Sequence, residues 1–108
     1  MASPGVEITC YIPTTTRSGK KIDDAKVQEM INKIWPKYRG ATQLRGTGYY
    51  RPNSGEDQMA ECHVLSIVTE MSRSIKNDEG ELAQLRNKIQ EELDQEVVLI
   101  TWRDVNVV

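Results

Sequence analysis

Glu61 and His63 stand two residues apart in a stretch rich in Val and Ile. On an extended strand, positions two apart point to the same face. A carboxylate beside an imidazole is a pairing suited to general acid–base catalysis. The competing reading is a cross-strand polar contact or a surface histidine, since no nucleophile stands against the pair in the sequence. Asp23 and Asp24 suggest metal ligands, but helix capping and first-turn acid account for them. Cys10 and Cys62 are the only cysteines and His63 the only histidine. A structural zinc site takes four such ligands, so neither a metal nor a cofactor is assigned. Both cysteines fall in strand-like stretches and read as small apolar residues, kept reduced in a cytoplasmic setting.

A second constellation is basic and rich in hydroxyls. Thr14, Thr15, Thr16, Arg17, Ser18, Lys20 and Lys21 surround Gly19 in a polar stretch that lacks the Walker spacing. Gly46 and Gly48 interrupt a strand, where glycine costs entropy and packs nothing. A bulge, or a ligand approaching the backbone, would account for them. Tyr49, Tyr50 and Arg51 follow, bringing rings, hydroxyls and a cation. Hydroxyls, backbone N–H groups and cations near a helix start form an anion or phosphate site when they converge. The plain alternative is a solvated basic loop.

These groups must be placed by the elements around them. Val6, Ile8, Cys10 and Ile12 alternate with Glu7, Thr9 and Tyr11, which predicts a half-buried strand ended by Pro13. Val27, Ile31, Ile34 and Tyr38 recur at helical spacing, with Pro36 and Gly40 near the end. Residues 41–51 and 61–70 predict two strands joined by the turn residues Pro52, Asn53, Ser54 and Gly55. Asn77 or Asp78 would cap a second helix, whose apolar stripe is Leu82, Leu85, Ile89 and Leu93. A last strand starts at Val97 and continues toward Val107. Trp35 and Trp102 read as packing residues. The order β-α-β-β-α-β predicts one α+β domain over residues 1–108, ferredoxin-like, with two helices on one face of a four-stranded antiparallel sheet.

That topology puts the first strand–helix loop, the hairpin turn and the junction at Gln95 and Glu96 at one end of the sheet. The sequence also separates its charges. No acid lies between Glu7 and Asp23 or between Glu29 and Glu56, where Arg17, Lys20, Lys21, Lys33, Lys37, Arg39, Arg45 and Arg51 occur. The acids gather around the second helix. The strands carry apolar residues on both parities, such as Val64 and Val68 against Leu65 and Ile67. The uncovered sheet face is therefore expected to be closed by a second copy, as a homo-oligomer.

Composition narrows the function classes. Hydrophobic residues make up 38% of the 108 residues and charged residues 28%, a globular mix. Fourteen Lys and Arg against sixteen Asp and Glu leave a net charge of −2, which argues against nucleic acid and membrane partners. The third strand has no aromatic residue with which to stack single-stranded RNA. No apolar run is long enough to span a bilayer, and residues 1–12 lack signal-peptide character, so the cytoplasm is expected. Residues 40–50, Glu61 after its turn, and Gln95, Glu96, Val97, Val98, Leu99 and Ile100 together resemble a scattered group of small bacterial and phage ferredoxin-like proteins. The resemblance implies that fold and a prokaryotic or viral setting, and names no substrate. The expected function is non-catalytic binding of a small anionic ligand, a nucleotide or nucleotide-derived signal. In a phage setting this would sequester a host immune signal. The alternatives are a small enzyme using Glu61 and His63 at an oligomer interface, and an interaction module using the open sheet face.

Overall fold

Alternation sets the first strand. β1 (Ser3–Pro13) buries Val6, Ile8, Cys10 and Ile12 on one face and turns Glu7, Thr9 and Tyr11 to the other. The computed structural model describes residues 2–38, 40–51, 55–70, 79–95 and 97–108. After β1 come α1 (Asp24–Ile34), a 3-10 turn (Trp35–Tyr38), β2 (Thr42–Tyr50), β3 (Gln58–Glu70), α2 (Glu79–Glu92) and β4 (Leu99–Val107). Every pairing is antiparallel, and the strands lie in the order β2-β3-β1-β4. The fold is ferredoxin-like, as the order of elements predicts.

Asp23 caps α1, its carboxylate accepting the Ala25 N–H at 3.1 Å. The helix buries Val27, Met30, Ile31 and Ile34 against the sheet. α2 and the turn after it add Leu82, Ile89 and Leu93, while Leu85 is only partly buried. On the same face, β3 presents Leu65 and Ile67 directly opposite Cys10 and Ile8. Trp35 and Trp102 lie at the margin of this core, each about two-fifths exposed. β3 starts at Gln58 rather than Glu61, so the hairpin arm is longer than the apolar pattern alone predicts. Its edge strand β2 contributes no fully buried residue. The turn residues 52–54 and the candidate caps Asn77 and Asp78 lie outside the described residues.

Among the described residues, the second sheet face carries no helix. Leu44, Val68 and Leu99 lie there about half exposed, together with Tyr11 and Val64. Among the described residues, no helix is long and apolar enough to cross a membrane.

Candidate functional site

Strand register places the smallest residues of the open face together. Gly46 pairs with Cys62, which pairs with Pro13, and one step along the hairpin Gly48 pairs with Ala60. Bulkier rows flank them. Leu44, Val64, Tyr11 and Leu99 lie on one side, Tyr50 and Gln58 on the other. The depression between the rows is a cavity of about 270 Å³. It is lined by Tyr11, Pro13, Gly48, Tyr50, Gln58, Ala60, Cys62, Val97 and Leu99, and by Thr15, Thr16, Arg17, Tyr49 and Gln95 at its end.

The β1–α1 segment forms the rim and is tied down. Ile22 N–H donates to the Thr14 carbonyl at 2.7 Å, Thr15 bridges to Lys21, and Thr16 N–H donates to Lys20 at 2.7 Å. Residues 14–22 thus make a miniature hairpin whose tip uses Gly19 at φ 85°. Three contacts fasten it to the chain after α2. Arg17 N–H donates to the Asp94 carbonyl at 2.8 Å, and the Arg17 guanidinium meets the Asp94 carboxylate at 2.8 Å. Buried Gln95 donates from Nε2 to the Thr15 carbonyl at 2.6 Å and to the Leu93 carbonyl at 3.0 Å.

Of the twelve residues expected at a ligand site, Thr15, Thr16, Arg17, Gly48, Tyr49 and Tyr50 line this cavity. The other six do not. Thr14 is buried, its hydroxyl donating to the Glu61 carbonyl at 2.6 Å. Ser18, Lys20 and Lys21 belong to the miniature hairpin and its tip, Ser18 sharing a 3.0 Å hydroxyl contact with Thr16. Gly46 borders a shallow hollow with Arg45, Thr47, Met59 and Glu61. Arg51 grips Asp57 with two bonds of 2.6 and 3.1 Å, and this contact holds the Asp57 carboxyl below its ordinary value.

Space also alters the charge reading. Arg17 meets Asp94, Lys33 meets Glu29 and Glu92, Lys37 meets Glu81, Arg45 meets Glu61 and Arg51 meets Asp57. The acid-free stretches of the sequence are therefore not acid-free regions of the molecule. Three of these pairs bring acids of α2 or its C-terminal turn back onto the cations.

Glu61 and His63 share a face, as their spacing requires, but it is the helix-covered face, opposite the cavity. They engage β2 rather than each other. Glu61 pairs with Arg45 at 3.0 Å, and His63 Nδ1 accepts from Gln43 Nε2 at 2.9 Å. That bond leaves the ring proton on Nε2, which is buried without a partner.

The cavity residues absent from the expected set are Tyr11, Pro13, Gln58, Ala60, Cys62, Gln95, Val97 and Leu99. The strand parity that turns Tyr11 away from the core was the available signal for it. Chemically, the lining among the described residues offers three phenols, two threonine hydroxyls, two amides, the Arg17 guanidinium and a thiol. Burial, then the charge of Glu61, pushes the Cys62 thiol up, so it stays protonated at neutral pH. Among the described residues, no carboxylate or imidazole lines the cavity, and no three His, Cys, Asp or Glu side chains gather as a metal requires.

No protein-family profile and no curated protein sequence matches the chain. Among solved structures, a phage SAM lyase in complex with S-methyl-5'-thioadenosine is similar, with a TM-score of 0.74 and 14% identity. The match covers 95% of this chain and 88% of that one. The resemblance to phage proteins of this fold thus holds in three dimensions. The match also corrects the expectation of a non-catalytic binding protein that sequesters a signal. The fold is one on which an enzyme, that lyase, is built.

Proposed function

We propose that the protein is an enzyme acting on a small nucleoside-type molecule, seated in the cavity on the open sheet face. The observation that supports this most directly is the cavity itself. It is a depression of about 270 Å³ lined by small and aromatic residues, with a rim held by Gln95 and Arg17, in the fold of an enzyme that binds a thio-nucleoside. Its chemistry suits a nucleoside better than a polyphosphate. Among the described residues, the one cation in the lining, Arg17, is engaged by Asp94, and Arg51 is held by Asp57.

Among nucleosides, a substrate carrying sulfonium sulfur at the 5' position fits the lining best. A sulfonium is itself a good leaving group and activates the bonds beside it. The protein then has mainly to orient the reacting parts, an effect that contributes up to about 7–11 kcal/mol of barrier lowering. A cavity with phenols and amides but, among the described residues, no carboxylate or imidazole meets that demand, and the faces of Tyr11 and Tyr50 suit a cation.

The test is direct. Purified protein is incubated with S-adenosylmethionine, and S-methyl-5'-thioadenosine is followed by chromatography. Turnover above the uncatalysed rate is expected. No turnover, together with no binding of S-methyl-5'-thioadenosine at millimolar concentration, would sink the proposal.

The apolar residues around the cavity support a second element of the proposal. A second copy laid on Leu44, Val64, Val68 and Leu99 would remove them from water and close the cavity. Sedimentation at micromolar concentration should then show at least a dimer. A single 12.3 kDa species would refute this part.

A further inference from the structure

Gly48 is small for no reason the fold supplies. Its φ is not positive, so its backbone does not call for glycine. A Cβ added there would meet the Ala60 carbonyl and Cys62 Sγ at 3.6 Å, ordinary van der Waals distances. Gly5 is different, because a Cβ there would come within 2.9 Å of Val107 and 3.1 Å of the Thr69 carbonyl. Glycine inside a strand is also less stable than a residue with a side chain. Two costs that packing does not require therefore fall at Gly46 and Gly48, on the same face. Their cross-strand neighbours, Cys62 and Ala60, are small as well.

The effect is a strip between two walls, bare β2 backbone at Gly46 and Gly48 bordered on β3 by the small side chains of Cys62 and Ala60. The strip lies between the Leu44 row and the Tyr50 row, six residues apart, or about 20 Å along a strand. Peptide planes without side chains offer a flat, weakly polar surface. A flat heteroaromatic ring lies on such a surface, whereas a pentose, puckered and rich in hydroxyls, would need polar partners that the strip does not offer. We infer that Gly48, over Ala60 and Cys62, is the seat of the purine base of the substrate, and so determines specificity for the base. This rests on the nucleoside reading proposed above and adds to it which part of the ligand occupies the strip.

The experiment uses the wild-type protein, Gly48→Ala and Gly48→Val, with calorimetric titration of S-methyl-5'-thioadenosine and of S-methyl-5-thioribose, which lacks the base. Thermal unfolding is measured on all three proteins. The wild type is expected to bind the thioadenosine and to bind the thioribose at least a hundredfold more weakly. Gly48→Val should weaken the thioadenosine at least tenfold while its melting temperature holds or rises, because the added methyls occupy the base's place. Gly48→Ala, whose Cβ has room, provides a graded loss of about threefold and keeps the test decisive if the valine variant misfolds. A folded Gly48→Val that binds thioadenosine within twofold of wild type would overturn the seat and leave the nucleoside reading standing. Equal wild-type affinity for the two ligands would also overturn it. Binding of neither ligand by the wild type would refute both.

Discussion

Gln95 is the residue whose replacement should loosen the cavity rim most. Its side chain is buried, and Nε2 donates to two backbone carbonyls, Thr15 in the β1–α1 segment at 2.6 Å and Leu93 after α2 at 3.0 Å. A neutral hydrogen bond contributes about 0.5–1.5 kcal/mol net, so losing both should cost about 2 kcal/mol. For a domain of this size that is roughly 10 °C in melting temperature. Gln95→Ala removes both bonds. Gln95→Glu keeps the shape, yet at neutral pH it presents a carboxylate to two carbonyl oxygens. It should therefore be at least as destabilised as Gln95→Ala at pH 7. Burial against those carbonyls raises the folded-state pKa of the new carboxyl above its unfolded value. Its deficit should then shrink as pH falls through that raised pKa, because a protonated carboxyl regains one donor. The control is Arg17→Ala, which breaks an exposed ion pair worth about 0–1 kcal/mol and should leave stability nearly unchanged. Urea midpoints at pH 7 and pH 4.5 give the energies. Amide hydrogen exchange at Thr16 and Arg17 reports whether the rim has opened. Gln95→Glu as stable as wild type at pH 7, or unchanged exchange in the rim of both Gln95 variants, would refute the argument.

Ile89→Ala should cost about 2–5 kcal/mol in urea denaturation, and Leu85→Ala less than half as much, because Ile89 is fully enclosed and Leu85 lies at the core's margin. Burial pushes the Cys10 thiol up to about 12 from an ordinary value of 9.0, so its contribution is fully present below pH 9 and is lost between pH 9 and 12, at up to about 1.4 kcal/mol per unit. Under reducing conditions, Cys10→Ala should flatten that alkaline decline relative to wild type, and parallel declines would count against it. His63→Leu loses the Gln43 bond but also removes a buried ring N–H with no acceptor, so stability should change by no more than about 1 kcal/mol. With His63 on the face opposite the cavity, turnover of S-adenosylmethionine should be preserved in that variant, whereas a fall of about 10²–10⁴ would make His63 a proton-transfer group after all.

Fold and site were legible to different depths, for physical reasons. Period-two burial in β1 and 3.6-residue spacing in α1 are local signals, and a single element already carries them. They suffice for the element order, for the Asp23 cap and for the face on which Tyr11 lies. The topology that follows also brings Thr15, Arg17, Tyr50 and Gln95 to one end of the sheet. Contacts across long stretches of chain were not legible. Asp94 lies 77 residues after Arg17, yet it neutralises the cation on which the anion-site reading leaned. The floor of the cavity depends on register, because Gly48 meets Ala60 only when β2 and β3 pair in one alignment. Register likewise decides that His63 faces Ile12 and the core side rather than the cavity. The start of β3 was hidden because Gln58, Met59 and Ala60 offer no apolar alternation.

The two faces of the sheet also explain how so distant a sequence keeps the fold. The helix-covered face asks for apolar residues of about the right volume at alternating positions, and Val6, Ile8, Cys10, Ile12, Leu65 and Ile67 satisfy it. Cores tolerate exchange among such residues as long as total volume and pattern are maintained. At 14% identity, a TM-score of 0.74 is consistent with that tolerance. The cavity face obeys a different rule. Apart from Cys62 and Gln95, its lining residues are not buried, so replacing a small residue there by a larger one is expected to remove cavity space before it removes stability. The apolar core therefore resides on one face, and the second is free of that packing demand. A substitution that holds or raises the melting temperature yet weakens binding of the proposed nucleoside, as expected for Gly48, is the behaviour this division of the sheet requires.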